Sequence, residues 1–180
     1  MDTTTKATAL LGLRLRLGED VEVPDATSKI IITRYNMVPE HIPGAGYDGP
    51  WSSYASHAHD KHSLIDVIRV GFPIGTIQNL IDSGRLSMVE IDRVVLPRKT
   101  LANRKKIGTL TAEQSDRLLR VARVIAAAEE TFGSPQKADI WLRRPSAALD
   151  DEAPLDLLDT EEGAREVESL LTRIAHGISA

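Results

Sequence analysis

From Leu64 onward the apolar positions recur every three or four residues, the period of a helix with one buried face; before Leu64 they do not. The spacing predicts a helix over Leu64–Val70, capped by Ser63 and ended by Gly71. A second helix begins at Pro73, whose ring suits a first helical turn, with Ile74, Ile77, Leu80 and Ile81 on one face until Asp82-Ser83-Gly84. Ser87 caps a third, where Met88, Ile91, Val94 and Val95 fall at helical spacing and Glu90 completes a capping box. After the connection Leu96-Pro97-Arg98-Lys99-Thr100, Thr100 is read as the cap of a fourth helix, Leu101–Ile107, which Gly108 ends. Thr111 and Gln114 form another capping box and open a long helix through Phe132. Its apolar side is Leu118, Ala122, Ile125 and Phe132, widened by Leu119 and Ala126, and Gly133 stops it.

Ser134-Pro135 starts the next helix, which runs to about Arg143 with Ala138, Trp141 and Leu142 inward; Pro145 ends it. Ala153–Leu158 reads as a short helical turn. Thr160 caps the last helix, Glu161–His176, whose two leading glutamates suit the positive end of the helix dipole. Ala164, Val167, Leu170, Leu171 and Ile174 form its apolar seam, and a seam at that spacing is first a core signal. Residues 1–62 carry few helix signals. Leu13–Leu17 alternates and, with Val21–Val23, reads as a small hairpin; Ile30–Ile32 reads as another short strand. Pro24, Pro39, Pro43, Gly44, Gly46, Gly49 and Pro50 then break regular structure, which predicts a partly ordered arm docked through Tyr47, Trp51 and Tyr54.

Composition adds bounds. A chain of 180 residues fits one domain or two small ones. With no cysteine there are no disulfides or thiolate metal sites, a usage that fits a reducing cytosol. The run Ala9–Leu13 is cut by Arg14 and Arg16, so it is not read as a secretion signal, and no stretch approaches the ~20 apolar residues of a membrane helix. The expectation is a soluble, cytoplasmic protein with no membrane partner. The net charge of −4 hides a split: −2 over residues 1–62, +5 over 63–126 and −7 over 127–180. A basic middle and an acidic end suggest two different partners, although unequal solvated helix faces give the same split.

The third and fourth helices, joined by a brief turn, form a helix-turn-helix arrangement. Its second helix is basic, and no carboxylate occurs between Asp92 and Glu113. Arg98, Lys99, Thr100, Asn103, Arg104, Lys105 and Lys106 are the candidate DNA-binding residues, with lysine and arginine on phosphates and Asn103 or Arg104 reaching base edges. The alternative is a basic exposed face that binds nothing. Arg117, Arg120 and Arg123 form a further stripe that suits DNA backbone, an acidic neighbour or solvent. His57, His59 and His62, with Asp60 beside them and His41 upstream, are metal-ligand types, but His-x-His-x-x-His is no reliable metal signature and no predicted rigid element holds it, so the segment is read as a solvated loop and no metal is expected. No nucleophile elbow, phosphate-binding glycine loop or metal-ligand pattern stands out, so no enzyme activity and no cofactor are expected.

The C-terminal residues carry a resemblance. Arg117-Leu118, Arg120-Val121-Ala122-Arg123, Phe132-Gly133, Ala138, Trp141-Leu142, Pro145, Ala148-Leu149, Pro154–Leu158, Thr160, Gly163, Val167, Leu170, Arg173-Ile174 and His176-Gly177 resemble the toxin-binding domain shared by Xre, MbcA and ParS antitoxins. The likeness covers about the last seventy residues and extends more loosely through Arg98-Lys99-Thr100-Leu101 and Arg104. It implies a mainly α fold: an Xre-like helix-turn-helix domain over residues 63–126, a small helical toxin-binding domain over 127–180 and an irregular N-terminal arm over 1–62.

By the same resemblance the chain is an antitoxin of a type II toxin–antitoxin system. It blocks the NAD cleft of a cognate RES-type toxin, an NAD-consuming or ADP-ribosylating enzyme, and represses its own operon. Trp141, Leu142, Pro154, Leu155, Leu158 and Gly163 shape the domain. The last helix, with Arg173, His176, Gly177 and the extreme C-terminus, faces the toxin by that resemblance; its exposed positions Arg165, Glu166, Glu168, Ser169 and Thr172, with Ile178, complete the candidate face. On charge grounds the carboxylates of this acidic domain are expected to meet basic residues that hold the pyrophosphate. A homodimer within a toxin–antitoxin hetero-oligomer is expected, since helix-turn-helix proteins bind paired half-sites. The alternative is a dimeric transcription regulator without a neutralising role. One departure stands out: relatives tend to have Gly-Gly before the Pro-Leu-Asp-Leu-Leu run, and this chain has Asp150-Asp151-Glu152.

Overall fold

A computed structural model of the chain describes residues 3–12 and 64–177. The described residues are helical: α1 (Thr3–Leu10), α2 (Leu64–Val70), α3 (Gly75–Asp82), α4 (Met88–Val94), α5 (Arg98–Ile107), α6 (Ala112–Phe132), α7 (Pro135–Arg143) and α8 (Glu161–Ala175). Two 3₁₀ turns, Ala147–Leu149 and Pro154–Asp159, join α7 to α8. The hairpin, the Ile30–Ile32 strand, the Tyr47, Trp51 and Tyr54 contacts, the histidine cluster, the Ser63 cap and Ile178 all lie outside the described residues.

Most boundaries follow the sequence signals. The capping boxes at Ser87/Glu90 and Thr111/Gln114 are both formed. Ser134 caps α7 with Pro135 at its first position, and Thr160 caps α8 by accepting from Gly163 N.

Three readings are corrected. Pro73 does not open a helix. It pairs with Thr109, its carbonyl accepts from Thr76 Oγ1 at 2.7 Å, and α3 starts at Gly75. Thr100 is not a cap, because α5 already starts at Arg98. Pro97 stands at the cap position and offers no side-chain acceptor. Asp92 Oδ1 accepts from Arg98 N at 2.6 Å instead, capping the helix from outside its own sequence. Finally, the first residues hold a helix that the sequence reading did not place there. Ala7, Thr8 and Leu11 are fully buried, so the apolar run at the N-terminus supplies core.

The long helix α6 is the axis of the molecule. Helices α1, α2, α7 and α8 all pack on it, which explains why its buried positions, from Leu118 through Ala128, extend well beyond one narrow stripe. The tail of α2 is tied to the base of α6. Phe72 N donates to Ser115 Oγ at 2.7 Å, and Leu110 N donates to Phe72 O at 2.8 Å. Gly71 is needed at that junction, since it sits at φ 99° and a Cβ would meet Leu110 O at 2.1 Å. One hydrophobic cluster runs from Ala7 to Leu171 through both the α2–α5 region and the α7–α8 region.

Candidate functional site

Helix α5 is held by its buried Leu101 and by Asp92, whose carboxylate meets both the backbone N and, at 3.8 Å, the guanidinium of Arg98. Val95 and Leu96 in the preceding turn are buried, so the α4–α5 corner is fixed by core residues. At roughly 100° per residue, Lys99, Asn103 and Lys106 lie opposite Leu101 and point outward. Arg98 and Lys105 flank that face on one side, both exposed; Thr100 and Arg104 flank it on the other, both half-buried. The seven candidate residues thus divide into a central row of three and two shoulders. Gly108 ends the helix at φ 90°, and Arg104, Lys105 and Lys106 sit in its last turn, where cations suit the dipole.

Two of the three arginines of the α6 stripe, Arg117 and Arg120, pair with carboxylates one turn earlier in their own helix. Arg117 pairs with Glu113 at 3.2 Å and donates to Val95 O at 3.3 Å; Arg120 pairs with Asp116 at 3.2 Å. Among the described residues no cluster of His, Asp and Glu could hold a metal ion. Nor is any helix there long and apolar enough to cross a membrane.

Helix α8 presents the second face. Ala164, Val167, Leu170 and Leu171 are buried, while Arg165, Glu166, Glu168, Ser169, Thr172, Arg173, His176 and Gly177 are all exposed. Arg165 bridges to Glu161 at 2.7 Å and Glu162 at 3.6 Å, and Thr172 Oγ1 donates to Glu168 O at 2.9 Å. The helix is seated on the Pro154–Asp159 turn through Gly163. A Cβ there would meet Leu157 O at 2.2 Å and Thr160 Oγ1 at 2.9 Å. Trp141 is half-buried, its ring centroid 5.3 Å from that of Phe132.

Sequence reasoning missed what joins the two faces. Glu90 completes the capping box through Ser87, and its carboxylate also receives Arg143 of α7, Nε at 2.7 Å and Nη2 at 3.0 Å. Arg143 further contacts Asp139 and donates to Arg85 O at 3.2 Å. Burial opposes the charge on Glu90, but the Arg143 and Ser87 hydrogen bonds outweigh it and hold the carboxyl below its ordinary range. Burial likewise opposes the Arg143 cation, and Glu90 and Asp139 outweigh it. Arg93 of α4 pairs with Asp156 of the second 3₁₀ turn, and Arg85 pairs with Glu129 of α6 at 2.9 Å. A capping-box glutamate and a last-turn arginine 53 residues apart each have a local explanation, so neither advertises the other.

Comparison with known proteins finds two family matches. Residues 63–123 match the antitoxin Xre-like helix-turn-helix domain, and residues 127–177 match the antitoxin Xre/MbcA/ParS C-terminal toxin-binding domain. Among curated proteins, the chain is similar to Antitoxin Xre of Pseudomonas putida, 38% identical over 60 residues. It is also similar to Antitoxin Xre of Photorhabdus laumondii, 43% identical over 62 residues, and of Yersinia enterocolitica, 40% over 62. These matches take in 33% of this chain and 38% of the first relative, and 34% of this chain and 42% of each of the others.

Proposed function

As a chain that belongs to the Xre/MbcA/ParS-type antitoxin family, this protein is, we propose, the antitoxin of a toxin–antitoxin pair, acting in the cytoplasm by stoichiometric binding. The region 63–126 takes the operator and the region 127–180 takes the toxin. The observation that carries this reading is the pair of exposed faces, one basic on α5 and one predominantly acidic on and around α8, set on one continuous core. Lys99, Asn103 and Lys106 enter the major groove, and Arg98, Thr100, Arg104 and Lys105 hold the flanking phosphates. The outer side of α8, with Arg165, Glu166, Glu168, Ser169, Thr172, Arg173, His176, Gly177 and Ile178, closes the NAD cleft of a RES-type toxin. The chain works as a homodimer within the toxin–antitoxin complex and represses its own operon.

The decisive experiment co-purifies this chain with the product of the adjacent gene and measures NAD consumption with and without it. A stable complex with suppressed consumption is the expected result. An adjacent product that is harmless alone, or that ignores this chain, refutes the neutralising role and leaves a helix-turn-helix regulator. Removing residues 165–180 is a poor control, because Val167, Leu170 and Leu171 are core. Charge reversal at the exposed Arg165 and Arg173 tests the same face without opening the fold.

A further inference from the structure

We propose that one flank of α6, formed by Leu119, Arg123, Ala126 and Glu130, together with Asn79 of α3, is a docking site for a helical segment. Its occupant is this chain's own residues 3–12, held as a detachable clip. The four α6 positions recur at intervals of four, three and four, so they share one side of the helix. Lys6 Nζ lies 3.1 Å from the Glu130 carboxylate, which sets α1 on that side. Leu119 and Ala126, which merely widen the apolar stripe in sequence, are buried there.

The far end of the clip is recognised through its backbone. Asn79 Nδ2 donates to Leu11 O at 3.0 Å. Gly12 follows at φ 69°, where a Cβ would fall 2.0 Å from the same amide nitrogen. Between these ends Ala7, Thr8 and Leu11 are fully buried. A charged contact at one end, a read carbonyl and glycine at the other and the buried Ala7 and Thr8 between them make a site with polarity and register.

Three observations make the clip detachable. An eight-residue helix does not persist in water by itself, so α1 is ordered by docking. The segment is joined to α2 by the 51 residues 13–63, so its release leaves the connections within 64–177 unbroken. Arg123 Nε is buried with no hydrogen-bond partner among the described residues, and an unpaired buried donor favours states that admit water. Neither family match reaches residues 3–12, so the clip is an addition to the matched regions.

Hydrogen exchange on the full wild-type chain tests this directly. The amides of α1 are expected to exchange at least about tenfold faster than those of Val121–Ala128, through a local opening. Exchange of α1 only together with the α6 core overturns the proposal. In the full-length Leu11→Asp variant, α6 to α8 stay protected, and a labelled synthetic peptide of residues 1–17 binds. Wild type, its site already filled, binds that peptide at least about tenfold more weakly. A folded variant that ignores the peptide also overturns the proposal. Lys6→Glu lowers α1 protection, and adding Glu130→Lys restores it; failure of that rescue removes Glu130 from the site. If Leu11→Asp does not fold, the wild-type exchange and the charge swap still decide.

Discussion

Asp150 and Asp151 occupy the left-handed region in succession, at φ 53° and 62°, which glycine adopts freely and most other residues avoid. The reversal they make is fixed by Ser146 O, which accepts from Leu149 N at 2.9 Å and Asp151 N at 3.0 Å, and by Ser146 N donating to Glu152 O at 3.0 Å. Where the resemblance leads one to expect Gly-Gly before the Pro-Leu-Asp-Leu-Leu run, this chain holds two aspartates in glycine-like backbone. Aspartate tolerates this region better than most residues, so the stability order at position 151 is expected to be glycine, then aspartate, then alanine. Asp151→Ala should cost about 1 kcal/mol and Asp151→Gly should be neutral or stabilising by several tenths, measured by urea denaturation. Gly163 is the opposite case. Its backbone angle is ordinary, but a methyl group there overlaps Leu157 O, so Gly163→Ala should cost about 1–3 kcal/mol in the same assay.

At the scale of elements, α4 is the joint between the two faces, since Glu90 at its start and Arg93 at its end reach α7 and the second 3₁₀ turn. Arg143→Met leaves Glu90 partly buried without its cation and should cost about 1–3 kcal/mol at pH 7. The pH dependence has a definite sign. Glu90 has a folded pKa below its unfolded value of about 4.3, so its contribution is present above that value and is lost as pH falls through the lower, folded one. The stability gap between wild type and Arg143→Met should therefore be widest near neutrality and shrink as pH falls below that unfolded value, checked by denaturation at several pH values. Helix boundaries set by neighbours in sequence, such as the two capping boxes, Gly133 and Ser134-Pro135, were legible from the chain alone. The start of α5 was not, because its cap is Asp92, six residues back. Nor was α1, whose helix depends on a surface more than 100 residues away. Of the two faces, the exposure of α8 could be read from its seam, but the division of α5 into a central row and shoulders required knowing that Leu101 is its anchor.

For the whole molecule, the charge split now has a geometry: basic side chains project from α5, and carboxylates predominate on and around α8. If α5 takes DNA, operator affinity should fall steeply with salt, and Arg104→Ala or Lys105→Ala, which remove phosphate contacts, should each reduce the log–log slope by about 1. Titrations between low and physiological salt check this, and a salt-insensitive affinity is incompatible with it. The acidic face makes a separate demand. Glu166 and Glu168 are exposed, so replacing both with alanine should leave stability within about 0.5 kcal/mol. If these carboxylates meet cations in a toxin's NAD cleft, the same double variant should bind the toxin at least about tenfold more weakly, with the loss deepening at low salt, where the attraction is least screened. Operator affinity should be unchanged, because neither residue lies on α5. An unchanged toxin affinity would remove the electrostatic account and leave shape and the contacts of Arg173 and His176 to carry neutralisation. A variant that loses toxin and operator together would instead mean that the substitution acts through the shared core, and that the two faces are not independent.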